Sequence, residues 1–257
     1  MALHRRITMY LKHLTWRETE QYLQQKQSII MPIGSHEQHG PNGMIGTDII
    51  CPVRVAEDLS QETGILIGPS IEVGMAQHHL GFAGSITVRP TTLISIIEDY
   101  VKSLAKHGFT HFFFLNGHGG NIATVKAAFA EIHAEASLGR APVQQPELEL
   151  VLHNWYQGRR VTEMSNRYFP GIEGSHATPS EISLTFHAYP EHTKPAVPME
   201  PRVARGGSFG SAVDYRRKFP DGRIGSDPSG ATAKIGAELC QAAVTDALDA
   251  LRYQGFL

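Results

Sequence analysis

Residues 110–121 read THFFFLNGHGGN. Phe112, Phe113, Phe114 and Leu115 offer no polar face, the pattern of a strand covered on both sides. Gly117, Gly119 and Gly120 then break the run around His118. A helical stretch at 122–138 follows and is closed by Gly139. A buried strand at 110–115, a tight turn and a long helix make one arm of a strand–helix–strand crossover.

The same succession recurs along the chain. Thr15-Trp16-Arg17-Glu18 forms a capping box that opens a first helix to about Gln25. Residues 28–33 (SIIMPI) are a second continuous apolar run. A helix is predicted after Asp48, through Val53, Val55, Ala56 and Leu59, with Gly64 as its stop. Residues 65–71 (ILIGPSI), 85–88 and 148–152 are further strand candidates. Residues 91–107 carry Leu93, Ile97, Val101, Leu104 and Ala105 at helical spacing and end at Gly108. Alternating strands and long helices predict a single α/β domain with a mostly parallel sheet over residues 1–257. Residues 190–232 are rich in Pro and Gly and show little periodicity. Only one helix, 233–253, follows them, so a linker to a second domain is a poor reading. A long ordered excursion that covers a site or meets another subunit fits better, with residues 205–217 as its contact segment.

Bulk properties narrow the function. The chain has 257 residues, 41% hydrophobic and 19% charged, as in an ordinary globular protein. A net charge of -2 argues against nucleic acid or an anionic membrane as the main partner. Cys51 and Cys240 form no CxxC pair, which points to a reducing cytoplasm, with Cys51 as a small apolar core residue. Residues 1–14 contain no apolar stretch of the kind a secretory leader needs. No apolar run is long enough to span a bilayer.

The chemistry lies in three glycine-rich segments. The first is Gly34-Ser35-His36-Glu37-Gln38-His39-Gly40-Pro41, followed by Asp48. Glu37 and His39 are two apart, so in extended backbone both point to one side. Glu, His and Asp together are a donor set for Zn²⁺ or Mn²⁺; Mg or Fe would accept the same atoms. The second segment is the turn around His118. It follows a strand, and ligands gather at strand carboxyl ends in parallel sheets. A dinucleotide fingerprint fails because Ile122 stands where the third glycine belongs, and a P-loop lacks its Lys-Ser/Thr. The third segment is Gly174-Ser175-His176-Ala177-Thr178-Pro179-Ser180-Glu181. Here Pro179 suits a first helical turn, and Glu181 suits the positive end of a helix whatever else it does. Together the segments supply Glu37, His39, Asp48, His118 and Glu181. Five ligands with three carboxylates exceed one tetrahedral ion. They fit two divalent ions that share a carboxylate and keep a net positive field for a hydrolytic oxyanion.

On these residues the chain resembles the creatininase family of metal-dependent amidohydrolases. The resemblance runs through PIGSHEQHGPNGMIGTD (32–48), HHLGFAGSI (78–86), FFFLNGHGGN (112–121), GSHATPSEIS (174–183) and PDGRIGSDPSGATAKIG (220–236). It implies a three-layer α/β/α fold with a parallel central sheet, a two-metal site, usually a hexamer built from dimers, and hydrolysis of non-peptide or cyclic C–N amide bonds in a small substrate. It assigns Glu37, His39, Asp48, His118 and Glu181 as metal ligands, with Asp48 as the bridge. It makes His176 and Glu181 the candidate catalytic residues, with His176 passing a proton to the leaving nitrogen. His79 also matches a family position, although a packed or hydrogen-bonded histidine is an equal reading. Trp155 reads as core before it reads as a substrate contact. The motif His-Ala-Gly-Glu-x-Glu of the family is His-Ala-Thr-Pro-Ser-Glu here. Creatininase proper has Glu at the position of Gly120 and Trp at that of Ile172, so these departures argue against creatinine as substrate. A formamide or short-peptide hydrolase of cofactor biosynthesis, or a non-catalytic ligand-binding relative, are the alternatives.

Overall fold

Along the central strand, Phe112 and Phe114 belong to one apolar core and Phe113 and Leu115 to another. That split is the two-residue period of a strand with both faces covered. The computed structural model describes residues 8–139, 147–195 and 197–257; residues 1–7, on which half of the leader reading rests, lie outside them. Four strands, β1 (Ser28–Ile33), β2 (Leu66–Ile67), β3 (His111–Asn116) and β4 (Glu149–Asn154), form an all-parallel sheet in the order β2-β1-β3-β4. The helices are α1 (Trp16–Leu23), α2 (Thr47–Thr63), α3 (Pro90–Ala105), α4 (Asn121–Ser137), α5 (Arg159–Tyr168), α6 (Pro179–Ala188), α7 (Ala212–Lys218) and α8 (Ala233–Tyr253). One core joins Ile29, Met31 and Phe114 to Leu93, Ile97 and Val101 of α3 and Val125 and Phe129 of α4. The opposite core joins Ile30, Phe113 and Leu115 to Val55 and Leu59 of α2, Leu184 of α6 and Leu239 and Ala243 of α8. The result is the expected α/β/α layering.

Several expectations are corrected. The run at 65–71 makes only the two-residue strand β2, because Gly68-Pro69 interrupts it. Beyond that point single backbone bonds, Gly68 N–H to Ile30 O and Ile71 N–H to Pro32 O, continue the edge. Pro32 therefore sits in β1 without breaking a ladder, since its carbonyl side faces the stretch past the end of β2. Residues 85–88 form no strand; Ile86 makes one isolated antiparallel bridge to His36. Helix α2 starts at Thr47, so Asp48 lies inside its first turn and not before it. Helix α5 was not foreseen. Trp155 and Cys51 are buried in the apolar core, as read. No helix among the described residues is long and apolar enough to cross a membrane.

Two close approaches set the site's frame. A Cβ on Gly34 or Gly117 would come within 2.3 or 1.9 Å of the Asp48 carbonyl oxygen, so glycine at both strand ends lets α2 abut the sheet at Asp48. On the other face, a Cβ on Gly236 of α8 would come within 1.9 Å of the Ser183 carbonyl oxygen of α6. Gly236→Ala is expected to destabilise the fold by about 1–3 kcal/mol, the usual cost of overpacking. A denaturant midpoint equal to wild type would show that α6 and α8 part freely.

Candidate metal centre

The loop after β1 carries Glu37 and His39, the first turn of α2 carries Asp48, the loop after β3 carries His118, and the first turn of α6 carries Glu181. All lie at the carboxyl rim of the sheet, where a parallel fold collects its ligands. The structure brings the five side chains together and buries four of them almost fully; Glu181 is intermediate. His39 Nε2 is 3.1 Å from Asp48 Oδ1 and 3.9 Å from Glu181 Oε1. His118 Nδ1 is 3.0 Å from Asp48 Oδ2, and its Nε2 is 3.3 Å from Glu37 Oε2. Three donor triads result among the described residues, each with its ligand atoms within 4.8 Å of one another: Glu37–His39–His176, and the pair Glu37–Asp48–His118 and His39–Asp48–Glu181. Asp48 belongs to both members of that pair.

Backbone carbonyls orient the rings. His39 Nδ1 lies 3.1 Å from the Glu37 carbonyl and His118 Nε2 lies 3.0 Å from the Met75 carbonyl. A carbonyl only accepts, so each of these nitrogens carries a proton and the other ring nitrogen faces Asp48. Such outward N–H···O=C bonds are how ligating histidines are fixed. Both Glu37 oxygens and Asp48 Oδ2 are buried with no hydrogen bond of acceptable geometry. Buried carboxylate oxygens left in that state are costly. A cation that displaces the protons on the ring nitrogens facing Asp48 would satisfy these oxygens, so the residues fit divalent metal.

Glu181 serves two purposes. Thr178 caps α6 through a capping box, in which the Thr178 N–H donates to Glu181 Oε1 at 2.6 Å and Thr178 Oγ1 accepts from the Glu181 N–H. The Thr-Pro departure from the family motif thus supplies the helix start, and the same carboxylate faces His39.

The charges are mutually dependent. Burial raises the Glu37 carboxyl, against the pull of His118. Burial would also raise Asp48, but His39 and His118 hold it far below the carboxylate range. Glu181 is pushed up to about 7 by burial. Burial lowers His39 and His118, but Asp48 with Glu181, and Glu37 with Asp48, carry them to about 10 and about 9. Without metal, both rings therefore hold a second proton at neutral pH, and a metal ion must displace it. Metal binding is expected to release protons, with affinity rising with pH until these rings deprotonate near 9–10 and falling on acidification. Titration calorimetry in buffers of different ionisation heat checks this; heats independent of buffer at neutral pH would contradict it.

His176 precedes α6 and is held by the 220–227 segment: Ser175 N–H donates to Ile224 O, and Ser226 Oγ donates to His176 O at 2.7 Å. Its Nδ1 lies 3.7 Å from Glu37 Oε1. Burial, reinforced by His39 and His79, keeps its pKa well below the ordinary value, so the ring is neutral. His79 is likewise held neutral by burial, at about 3, with Nε2 3.0 Å from Glu37 Oε1. It is buried and hydrogen-bonded to Gln38.

A cavity of about 470 Å³ opens onto the cluster. Phe209 and Ile224 of the excursion line it. Phe209 lines the mouth and stacks on His78 with centroids 4.5 Å apart, and Tyr215 packs edge-on against His79. Sequence reasoning did not single out Phe209 or Tyr215, although both lie in the 205–217 segment, nor Tyr156, Glu173 and Arg223. Tyr156 OH and Glu173 Oε2 are buried in the cavity wall without a partner. Arg223 is fully buried and donates to Asp221 and to the carbonyls of Pro201, Arg202 and Ser226, pinning the excursion in place. The motif around it was visible, but a buried arginine reads from sequence as a surface one.

The fold and cluster define an α/β protein suited to a divalent cation. The creatininase family model, described as creatinine amidohydrolase, matches residues 12–251, and the chain belongs to that family. Two relatives are the 3-dehydro-scyllo-inosose hydrolase of Thermotoga maritima, 28% identical over 76% of this chain and 61% of its own length, and the mycofactocin precursor peptide peptidase of Mycolicibacterium smegmatis, 26% identical over 87% and 84%. The chain thus spans less than two thirds of the inosose hydrolase. A solved manganese creatininase shares the fold, with TM-score 0.80 and 21% identity over 96% of this chain and 98% of that one.

Proposed function

We propose that this chain is a two-metal amidohydrolase in which Glu37, Asp48 and His118 hold one divalent ion and His39, Asp48 and Glu181 the other. The observation that carries the reading is the set of buried oxygens of Glu37 and Asp48 that lack a well-formed hydrogen bond and gather around the rings of His39 and His118. Divalent ions, when bound, supply an acidified water and polarise the scissile carbonyl. The chain's own residues do the rest. His176, neutral and with Nδ1 on the Glu37 side, accepts a proton at that atom and returns it to the leaving group. Glu173 and Tyr156 meet N–H or O–H groups of the substrate across the cavity. Phe209 and Tyr215 exclude water from above.

The cavity size fits a small molecule or the end of a short peptide. Gly120 bears on creatinine. A Cβ there would come within 2.3 Å of His118 Nε2 and 2.7 Å of the Met75 carbonyl, so this chain has no room for the Glu of creatininase proper without moving His118. Creatinine turnover is therefore expected to be weak or absent. The relatives' names widen the choice. One acts on an inosose, which has no amide, and others on a peptide, so attack at a carbonyl is the shared element. A formamide or short-peptide hydrolase is the second reading. A screen of cyclic ureas, lactams, formamides, C-terminal dipeptides and keto-cyclitols on Mn- and Zn-loaded protein tests the proposal; full metal loading with no hydrolysis would favour a ligand-binding protein. A cytoplasmic hexamer is part of the proposal on family resemblance alone.

A further inference from the structure

Gln38 lies between the two ligand candidates of the first loop, and its side chain is 5% exposed. Its Oε1 accepts from the Gly40 N–H at 2.9 Å, which fixes which end of the amide is which. The amide nitrogen then has four polar neighbours: the Gly222 carbonyl at 3.0 Å, His79 Nδ1 at 2.9 Å, His176 Nε2 at 2.9 Å and Tyr215 OH at 3.4 Å. It has two protons to give.

The network has one consistent solution. The Gly222 carbonyl only accepts, and takes one proton. His176 Nε2 is 2.7 Å from the backbone carbonyl of Gln38, which also only accepts, so His176 Nε2 carries its own proton and cannot receive another. Tyr215 OH donates to Gly222 O and is the most distant neighbour. The second amide proton therefore goes to His79 Nδ1, and the His79 ring proton sits on Nε2, facing Glu37 Oε1 at 3.0 Å.

We propose that Gln38 is a positioning residue that sets the tautomers of both His79 and His176: its side-chain N–H holds His79 as the Nε2–H form against Glu37, and its backbone carbonyl holds His176 as the Nε2–H form with Nδ1 free on the cavity side. Gln38 also ties the excursion, through Gly222, to the metal-binding loop. The space is shaped for it, since a Cβ on Gly222 would lie 1.8 Å from Gln38 Oε1 and Gly222 has a φ of +91° that favours glycine. The value of the His176 tautomer for proton transfer rests on the amidohydrolase reading; the tautomers themselves do not.

The test is histidine-selective ¹⁵N NMR of the zinc-loaded protein, in which protonated and unprotonated ring nitrogens resonate in separate ranges. The wild type is expected to show unprotonated Nδ1 and protonated Nε2 for both His79 and His176. In Gln38→Glu, whose carboxylate cannot donate, His79 Nδ1 is expected to shift into the protonated range, while His176 keeps Nε2–H because its partner is backbone. Zinc content is expected to match wild type. Gln38→Met, without donor or acceptor, should release His79 from a single tautomer. A wild-type Nδ1–H form of either ring overturns the proposal without any variant. So does an unchanged His79 in both folded variants. An inactive protein with the expected tautomers would count against the amidohydrolase reading alone.

Discussion

Asp48→Ala is expected to strip both metal positions at once. Its two oxygens face different imidazoles, Oδ1 toward His39 and Oδ2 toward His118, and it is the residue shared by the Glu37–Asp48–His118 and His39–Asp48–Glu181 triads. Its removal leaves each ion with two of its three protein ligands. It also leaves His39 and His118 without the carboxylate that balances them. Hydrolysis should fall by about 10³-fold or more, since several kcal/mol of carbonyl polarisation are lost and each 1.36 kcal/mol is a factor of ten. Glu181→Ala should lose mainly one ion, because Glu181 belongs to only one of the two triads that contain Asp48. Elemental analysis of the two variants separates these outcomes. Near-normal content of two ions in Asp48→Ala would refute the bridging role.

His176→Gln is expected to keep its metal and lose about 10²–10⁴-fold in hydrolysis of whichever substrate the screen identifies, the range of a positioned acid–base group. The glutamine fills the same space beside Gln38 but cannot carry a proton back and forth. The loss should fall on kcat more than on KM, because the imidazole acts on the moving proton. Loss of an ion would instead make His176 a ligand, an arrangement the Glu37–His39–His176 cluster permits. Full activity with full metal would remove it from the mechanism.

Much of the layer fold was legible because continuous apolar runs were bounded by glycine. Residues 28–33 and 110–115 became β1 and β3 within one residue. The β2 edge was overread, since ILIGPSI is apolar throughout and hydrophobicity alone does not weigh the break at Gly68-Pro69. Helix α5 was missed because only Val161 and Ser165 of its ten residues are buried. It is held by tertiary contacts instead, with Arg160 paired to Asp246 of α8 at 2.8 Å and Gly158 admitting that carboxylate. The five ligand candidates were visible because carboxylate and imidazole on glycine-rich loops have no packing use. Gln38, Glu173, Tyr156 and Arg223 were not. Their significance depends on which unbonded atoms or carbonyls they meet across 100 residues or more of chain in the case of Gln38 with His176 and Gly222, and sequence spacing holds no record of that.

The central claim, two ions sharing Asp48, is tested most directly by anomalous scattering from crystals of the manganese-loaded protein. Two peaks are expected, one among Glu37, Asp48 and His118 and one among His39, Asp48 and Glu181. A single peak at saturating metal, or peaks away from Asp48, would contradict it.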